Sequence, residues 1–380
     1  MKENNQTTNL LPPLPTVEEL EEKETQNRLE YSRAEYDAYA AKYGIEKGNS
    51  SNETFEEQTA VLKEARITTK SHLKVPSIFL SIGGISFIES GDIFAIKGKP
   101  KTGKTTVCKV ISTATLKGEC CGIKAEKKNL IVAYIDTEQK AQDTQGILKY
   151  VQQIGGEGCN EYIDRNFFIF SLRKRDYTTL ISDLLRIVIA FRPDIIIVDG
   201  IADFVRSFND EEASRMAILQ QLRIVEDYNC AIINLIHENK ATEDHNPKGH
   251  LGQLLSQKDS IMMETKKDGG VIKVSCTASR HAPIPNLYLT YDEQGMIRDA
   301  SATYNAAKHE KKQSLKNEYK KIAQDIISEA GGQIKRAELS KKMEAKTGKS
   351  RPYMSDLITQ MLGKDLFLVN DMVQNTPSEQ

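Results

Sequence analysis

The sequence predicts an α/β fold with a central, mostly parallel β-sheet over residues 71–300. Three observations predict it. Short apolar runs alternate with stretches of helical periodicity, the runs are almost continuously apolar, and a glycine-containing loop joins the first run to a helix-compatible stretch. Strands buried on both faces of a parallel sheet lose the polar and apolar alternation, because the intervening helices cover both faces.

Five apolar runs are the candidate strands of this sheet. In chain order they are IFAIK (93–97), LIVAYI (130–135), FFIF (167–170), DIIIVD (194–199) and AIINLI (231–236). Helical stretches follow Gly103 and cover residues 177–191 and 213–228. Further strands are predicted near 260–264, 271–277 and 287–290, with residues 267–270 (KDGG) as the hairpin turn between the first two.

Both flanks of the predicted sheet differ from it in composition. Residues 1–70 predict an arm, disordered up to Pro15 and then helical and acidic, with sparse apolar positions at Leu20, Leu29, Tyr36 and Tyr39. This arm is either a solvated helix or an arm that packs on a neighbouring subunit. Residues 301–313 predict a polar linker, and residues 314–375 predict three short helices and a β-ribbon, the outline of a small winged helix-turn-helix.

Bulk composition indicates a soluble globular protein in the cytoplasm. The chain has 380 residues, 39% hydrophobic and 28% charged, with a formal net charge of -1, so any affinity for nucleic acid must come from a local patch. No apolar run predicts a signal peptide or a membrane-spanning helix. The six cysteines show no CxxC spacing, which favours reduced thiols over a zinc or redox site.

A phosphate-binding loop is predicted at residues 98–105, GKPKTGKT, which fit the pattern GxxxxGK followed by Ser or Thr. Glycines let the backbone curl so that its N–H groups point at phosphates, and the following helix adds the positive end of its dipole. Lys104 is expected to reach the β- and γ-phosphates. The predicted nucleotide contacts are Gly98, Lys99, Pro100, Lys101, Thr102, Gly103, Lys104, Thr105 and Thr106.

The run DIIIVDG predicts a magnesium carboxylate at Asp199, because a buried strand delivers that side chain to the carboxyl edge of the sheet. Thr105 and Asp199 are therefore the expected Mg²⁺ ligands, and ATP and Mg²⁺ the expected cofactors. Hydrolysis also needs a group that orients or deprotonates water. Glu138 in YIDTEQ is the candidate, Asp136 is its competitor, and the alternative for Glu138 is a helix cap.

These residues together resemble a family. The segments GKPKTGKTT, YIDTEQ, IIIVDGIADFVRSFNDEEAS, INLIHENK and KGHLGQLLSQKDSIM resemble RecA-like ATPases of the RepA type, the hexameric replicative helicases of plasmids and mobile elements. The resemblance covers roughly residues 75–295. It implies Glu138 as the catalytic base, His237 as a sensor of the γ-phosphate and Arg280 as a finger that reaches a neighbour's nucleotide. The sequence departs from the family where Glu238 follows His237 in place of a second histidine.

Two regions are candidates for contact with single-stranded DNA. The polar stretch 238–258 is long for a connection and carries Lys240, Lys248 and Lys258. The C-terminal region has 13 Lys or Arg against 6 Asp or Glu between residues 308 and 351. Its third helix would present Arg351 and Tyr353 to DNA, although lysine-rich helices are also common as solvated faces.

The leading functional prediction is an ATP-dependent DNA motor, a replicative helicase whose subunits form a ring, with six as the expected number and hydrolysis at subunit interfaces. The alternative is an ATP-switched DNA-binding adaptor, such as a helicase loader, a recombination mediator or a regulator, which does not unwind DNA. A small-molecule kinase ranks third, because the sequence shows no arginine-bearing lid.

Overall fold

The computed structural model describes residues 38, 41–42, 65–238, 247, 249–280 and 282–375. Most of the predicted arm over residues 1–70, including Leu20, Leu29, Tyr36 and Tyr39, lies outside the described residues. The chain divides into two compact units, Met1–Ala300 and Ser301–Gln380. Each unit is described by itself.

Thirteen strands are described in the first unit. They are β1 (Ile78–Ile82), β2 (Ile85–Glu89), β3 (Asp92–Gly98), β4 (Glu119–Cys120), β5 (Ile123–Ala125), β6 (Val132–Asp136), β7 (Phe167–Ser171), β8 (Ile195–Asp199), β9 (Ala231–His237), β10 (Ile261–Asp268), β11 (Val271–Ser279), β12 (Leu287–Tyr291) and β13 (Ile297–Asp299). Its described helices are α1 (Lys104–Lys117), α2 (Ala141–Gly155), α3 (Glu157–Asn160), α4 (Ile163–Asn166), α5 (Tyr177–Phe191), α6 (Glu211–Tyr228) and α7 (Gly249–Lys258), with a 3₁₀ turn at Ile201–Phe204.

Nine of these strands form one large sheet in the order β13-β12-β11-β10-β3-β9-β8-β6-β7. The six strands from β10 to β7 are parallel, and β11, β12 and β13 extend the sheet in antiparallel pairing. The predicted mostly parallel sheet is confirmed. One strand, β9, separates β3, which leads into the phosphate loop, from β8, which ends at Asp199. The carboxyl ends of β3, β6, β8 and β9 therefore lie side by side.

Two apolar clusters cover the two faces of this sheet. Alternate residues of one strand point to opposite faces, so Ile195 and Ile197 pack in one cluster while Ile196 and Val198 pack in the other. Helices α1 and α2 contribute to the first cluster, and α5, α6 and α7 contribute to the second. Burial on both faces explains why these strands read as unbroken apolar runs.

A second, four-stranded antiparallel sheet, in the order β2-β1-β5-β4, was not predicted. It joins the segment before the phosphate loop to the residues that follow α1. Phe79 and Ile123 from this sheet belong to the same apolar cluster as Val107 of α1. The small sheet therefore supports the helix that carries Lys104 at its first position.

The hairpin predicted at residues 267–270 is confirmed. Asp268 pairs with Val271, and Gly269 and Gly270 take positive φ angles of 54° and 90°. Two consecutive positive φ angles fit a tight turn whose twist matches that of the flanking strands.

The prediction of a loop across residues 238–258 is wrong for its second half. Residues 249–258 form α7, because Leu251 and Leu255 lie one helical turn apart and are both fully buried in the second apolar cluster. Of the remainder, residues 239–246 and 248 lie outside the described residues.

The second unit contains a long helix, two short helices and three short strands. They are α8 (Ser301–Glu329), β14 (Gln333–Lys335), α9 (Arg336–Thr347), α10 (Arg351–Met361), β15 (Leu366–Val369) and β16 (Met372–Asn375), and the strand order is β14-β16-β15. Its buried apolar residues include Ala323 and Ile326 of α8, Leu339 of α9, Ile358 of α10 and Val373 of β16.

Residues 301–313, expected to be a polar linker, are the first half of α8. The segment contains three Lys and three Ala and no Gly or Pro, and these residues favour a helix even where few contacts bury it. Among the described residues, no helix combines the length and the apolar character that crossing a membrane requires.

Candidate functional site

The phosphate loop has the backbone that its sequence predicts. Gly103 precedes α1 with a φ of 105°, and a Cβ at this position would lie 2.6 Å from Ile272 Cδ1. At Gly98 a Cβ would lie 2.3 Å from Thr265 Oγ1. Both positions therefore require glycine. Residues 104–106 form the first turn of α1, whose free backbone N–H groups are donors for phosphate oxygens.

Lys104 lies at the centre of the loop. Its Nζ donates to Gly98 O at 2.9 Å and Lys99 O at 3.3 Å, and it lies 3.1 Å from His237 Nδ1. Burial lowers the pKa of Lys104, while the carboxylates of Glu138 and Asp199 oppose that shift. A lysine ammonium held inside the loop is the arrangement that a triphosphate requires.

His237, at the end of β9, connects Lys104 to Glu138. Its Nδ1 faces the Lys104 ammonium, and its Nε2 lies 3.6 Å from Glu138 Oε1. Because an ammonium has only donors, Nδ1 must accept and Nε2 carries the proton toward the carboxylate. This interaction is the main cause that lowers the pKa of Glu138, and Lys104 adds to it. The three side chains form one polar chain along the pocket.

Asp136 and Glu138 have different partners, which separates the two candidates for the base. Asp136 is fully buried and accepts hydrogen bonds from Glu138 N, Gln139 N and Thr144 Oγ1. It therefore stabilises the turn between β6 and α2. The Glu138 side chain is 42% exposed and lines the pocket. Helix α2 begins after Lys140 without a side-chain cap, so the structure does not give Glu138 the capping role considered for it.

Thr105, in the first turn of α1, and Asp199, at the end of β8, lie next to each other although β9 separates β8 from the strand that leads into α1. Thr105 Oγ1 lies 3.4 Å from Asp199 Oδ2, and Tyr134 donates a 2.6 Å hydrogen bond to the same oxygen. Burial raises the pKa of Asp199 to about 6, and the bond from Tyr134 opposes this shift. A hydroxyl and a carboxylate are hard oxygen donors of the kind that Mg²⁺ prefers. The pair fits a magnesium ion beside a bound phosphate.

Most of the predicted residues line one pocket of about 510 Å³, namely Pro100, Lys101, Gly103, Lys104, Thr105, Thr106, Glu138, Asp199 and His237. The other predicted loop contacts, Gly98, Lys99 and Thr102, are not among its lining residues. Gln139 also lines it, together with three residues that the sequence did not indicate, Lys267, Ile272 and Tyr291. Tyr291 OH lies 2.6 Å from Thr106 Oγ1. These three residues come from β10, β11 and β12, and only the fold brings them beside the phosphate loop. Tyr134 was also missed, and its hydroxyl inside the apolar run LIVAYI was the available signal.

The structure does not bring Arg280 into this pocket. Arg280 follows β11 at the amino edge of the parallel strands, where its backbone N–H bonds to Ser260 O and its guanidinium donates to Gln257 O at 2.9 Å. Lys258 ends α7 at the same edge, away from the phosphate loop. Neither residue faces the nucleotide pocket of its own chain.

The other predicted DNA contacts lie elsewhere. Lys240 and Lys248 are outside the described residues. Arg351 and Tyr353 are on α10 in the second unit. Arg351 donates from its backbone to Glu344 Oε1 and from its guanidinium to Ala337 O, and Tyr353 is 50% exposed with its ring edge-to-face on Tyr319.

Comparison with known proteins finds similarity over part of the chain. The family described as AAA domain matches residues 82–243. Among solved structures, the RadB recombinase is 18% identical with a TM-score of 0.42, over 56% of this chain and 93% of that chain. No curated protein matches.

The matched segment includes the phosphate loop, Glu138, Asp199 and His237. The match and the order of the parallel strands fit an α/β domain built around a phosphate-binding loop. The donor set described above suits a nucleoside triphosphate with Mg²⁺.

Proposed function

We propose that this chain is an ATPase that acts on DNA, a motor of the replicative-helicase kind related to the RepA type. The observation that carries the proposal is the meeting of Lys104, Glu138, His237, Thr105 and Asp199 around one pocket of about 510 Å³. Four different strand ends deliver these groups. A phosphate-binding cation, a carboxylate for water and a hard-oxygen pair are what hydrolysis of a nucleoside triphosphate requires.

Each side chain has a defined task in this mechanism. The N–H groups of the loop and of the first turn of α1 bind the phosphate chain, and Lys104 neutralises charge on its β- and γ-groups. Glu138 is ionised at neutral pH because its pKa is lowered, so it can orient the attacking water and accept its proton. Thr105 and Asp199 would hold Mg²⁺, which, when bound, neutralises charge on the phosphate oxygens.

His237 supports a coupling between the nucleotide and DNA. It touches both Lys104 and Glu138 at the end of β9, and the chain continues directly into the stretch that carries Lys240 and Lys248. A phosphate that binds Lys104 would also change the partners of His237. We propose that this side chain transmits the state of the nucleotide to those lysines, which would contact single-stranded DNA.

Oligomer formation is part of the proposal. Subunits would form a ring, with six as the expected number, and Arg280 would serve the nucleotide of a neighbour. Its exposed position at the amino edge of the sheet is compatible with a contact in trans and not with one in its own pocket. Size measurement with and without Mg·ATP tests this point, and a monomer under both conditions would contradict it.

The second unit supports a DNA-binding role. Its order of helix, strand, two helices and two strands is compatible with a winged helix-turn-helix, in which α10 would be the recognition helix with Arg351 and Tyr353 near its start. This unit also favours the second candidate function, an ATP-switched DNA-binding adaptor. Such an adaptor would bind DNA through this unit and would not need to move along it.

Strand displacement on a forked DNA substrate distinguishes the two functions. A motor separates the strands with ATP and fails to do so when Lys104 is replaced, as in Lys104→Ala. An adaptor binds the fork in an ATP-dependent manner and hydrolyses ATP without separating the strands. Absence of both ATP hydrolysis and fork binding would reject both functions.

A further inference from the structure

A second cavity, of about 520 Å³, lies at the carboxyl edge of the parallel sheet. The loops that follow β6, β7 and β8 form it, and its lining includes Glu138, Arg173, Arg175, Tyr177 and Asp203. Glu138 lines both this cavity and the nucleotide pocket. A single side chain therefore forms the boundary between a proposed catalytic site and a cavity with no assigned role.

Two charged groups at this cavity have structural partners. Asp176 caps α5 by accepting hydrogen bonds from the N–H and the hydroxyl of Thr178. Arg175 is held by Asp183, to which Nε donates at 2.6 Å and Nη2 at 2.9 Å. These bonds use two of the five N–H donors of Arg175 and fix the plane of its guanidinium.

Arg173 differs from Arg175 because no carboxylate holds it. Within the described part of the chain it forms no ion pair, and its side chain is exposed at the cavity. Lys174 beside it and Arg206, next to a cavity-lining valine on the β8 side, are exposed as well. Cations on two separate loops suit an extended anionic ligand better than a single small anion.

The carboxylates of Glu138 and Asp203 restrict the charge of such a ligand. Burial, and to a smaller extent the nearby Glu138, raises the pKa of Asp203, so a further negative charge is disfavoured on that side. A polyphosphate would add several charges beside these groups. A phosphodiester carries one charge per group, so Arg173 can bind it at the opposite side of the cavity.

Tyr177 supplies the second feature expected of a site for single-stranded nucleic acid. It is the first residue of α5, lines the cavity and is 40% exposed, so its ring offers a face to solvent. Unpaired bases stack on such rings, and an arginine beside a free aromatic ring is the pairing that single-strand-binding surfaces use.

We propose that this cavity binds single-stranded DNA, with Arg173 on a phosphodiester group and a base stacked on Tyr177, directly beside Glu138. The inference rests on the proposed function and gives it a location. DNA bound here would contact the wall formed by Glu138 and so reach the ATPase site without passing through the stretch that carries Lys240 and Lys248.

The test measures binding of a fluorescent oligo-dT to the full chain by anisotropy, across a range of salt concentrations. Arg173→Ala removes one phosphate contact, so the slope of log K against log salt should fall by about 0.7. Tyr177→Ala should weaken binding about 5- to 150-fold with the slope unchanged, and Tyr177→Phe should retain wild-type affinity. The matched control is Lys149→Ala, which removes an exposed cation from α2 and should change neither quantity.

Unfolding midpoints equal to that of the wild type show that the variants are folded. If the wild type binds oligo-dT and Arg173→Ala and Tyr177→Ala bind as it does, this site is wrong while the proposed function stands. If the wild type itself neither binds oligo-dT nor responds to it in ATP hydrolysis, the proposed function fails and this inference fails with it.

Discussion

Replacing the acidic residues Asp136, at the end of β6, and Glu138, two residues later, should produce two different defects, one in stability and one in catalysis. Among the described residues, the Glu138 side chain is 42% exposed and has His237 as its polar partner. Glu138→Gln keeps the shape of this side chain but removes the proton acceptor. A positioned general base contributes about 10²–10⁴-fold to rate, so kcat for ATP hydrolysis should fall by that factor while Mg·ATP still binds.

Asp136→Ala should instead unfold the domain more easily. The buried carboxylate accepts three hydrogen bonds, from Glu138 N, Gln139 N and Thr144 Oγ1. A bond to a charged acceptor contributes about 1.5–3 kcal/mol, and since such terms are not additive the loss should be about 3–5 kcal/mol of unfolding free energy. Urea unfolding of both variants and steady-state hydrolysis measured below the transition give the two quantities.

The roles assigned to Glu138 and Asp136 would be contradicted if the catalytic and the stability defects appeared in the opposite variants. A Glu138→Gln protein that hydrolyses ATP at a rate near that of the wild type would remove Glu138 as the base. An Asp136→Ala protein with wild-type stability and no hydrolysis would identify Asp136 as the catalytic carboxylate instead.

Three further perturbations test separate parts of the structure. Gly103→Ala places a Cβ 2.6 Å from a neighbouring side chain at a φ of 105° and should abolish nucleotide binding in a fluorescent-nucleotide titration, whereas Gly118→Ala, at a φ of 96° but in open space, should retain it. Tyr134→Phe removes the 2.6 Å bond to Asp199, so the Mg²⁺ concentration that half-saturates hydrolysis should rise about fivefold or more; an unchanged value would contradict the positioning role. Asp259 is 4% exposed, and burial raises its pKa from 3.8 to about 7. A carboxyl with a raised folded pKa stabilises the protein below its unfolded pKa and loses that contribution as the pH rises through 7. Between pH 5 and 8 the wild type should therefore lose about 2–3 kcal/mol relative to Asp259→Asn in denaturant unfolding, and parallel pH curves would contradict this.

The parallel sheet was predictable because burial on both faces makes its strands unbroken apolar runs. The run DIIIVD predicted β8 to within one residue, and the boundaries predicted for α5 agree with the structure. The phosphate loop was equally visible, since its pattern of two glycines, a lysine and a threonine is local in sequence and stands between an apolar run and a helix-compatible stretch.

Elements whose signal depends on tertiary packing were not predictable. Helix α7 begins with Gly, His and Leu, and only the burial of Leu251 and Leu255 makes it a helix. The sheet β2-β1-β5-β4 consists of strands of two to five residues, too short to show a period. In α8 the sequence indicated a linker, because its first half is polar on all sides.

Choosing between Asp136 and Glu138 was also beyond the sequence. The two carboxylates are two residues apart after the same strand, and only the hydrogen bonds of Asp136 show that it belongs to the turn. The cavity beside Glu138 depends on three loops, around residues 138, 173 and 203, which are far apart in sequence. A pattern along the chain cannot show that they meet.

The most direct test of the central claim is the steady-state rate of ATP hydrolysis by the wild-type chain with and without single-stranded DNA at constant Mg²⁺. We predict a clear increase in the rate of ATP hydrolysis with DNA, which Glu138→Gln abolishes. ATP binding with a rate that DNA does not change would contradict it, because the pocket would then work without the coupling that His237 and the cavity beside Glu138 are proposed to provide.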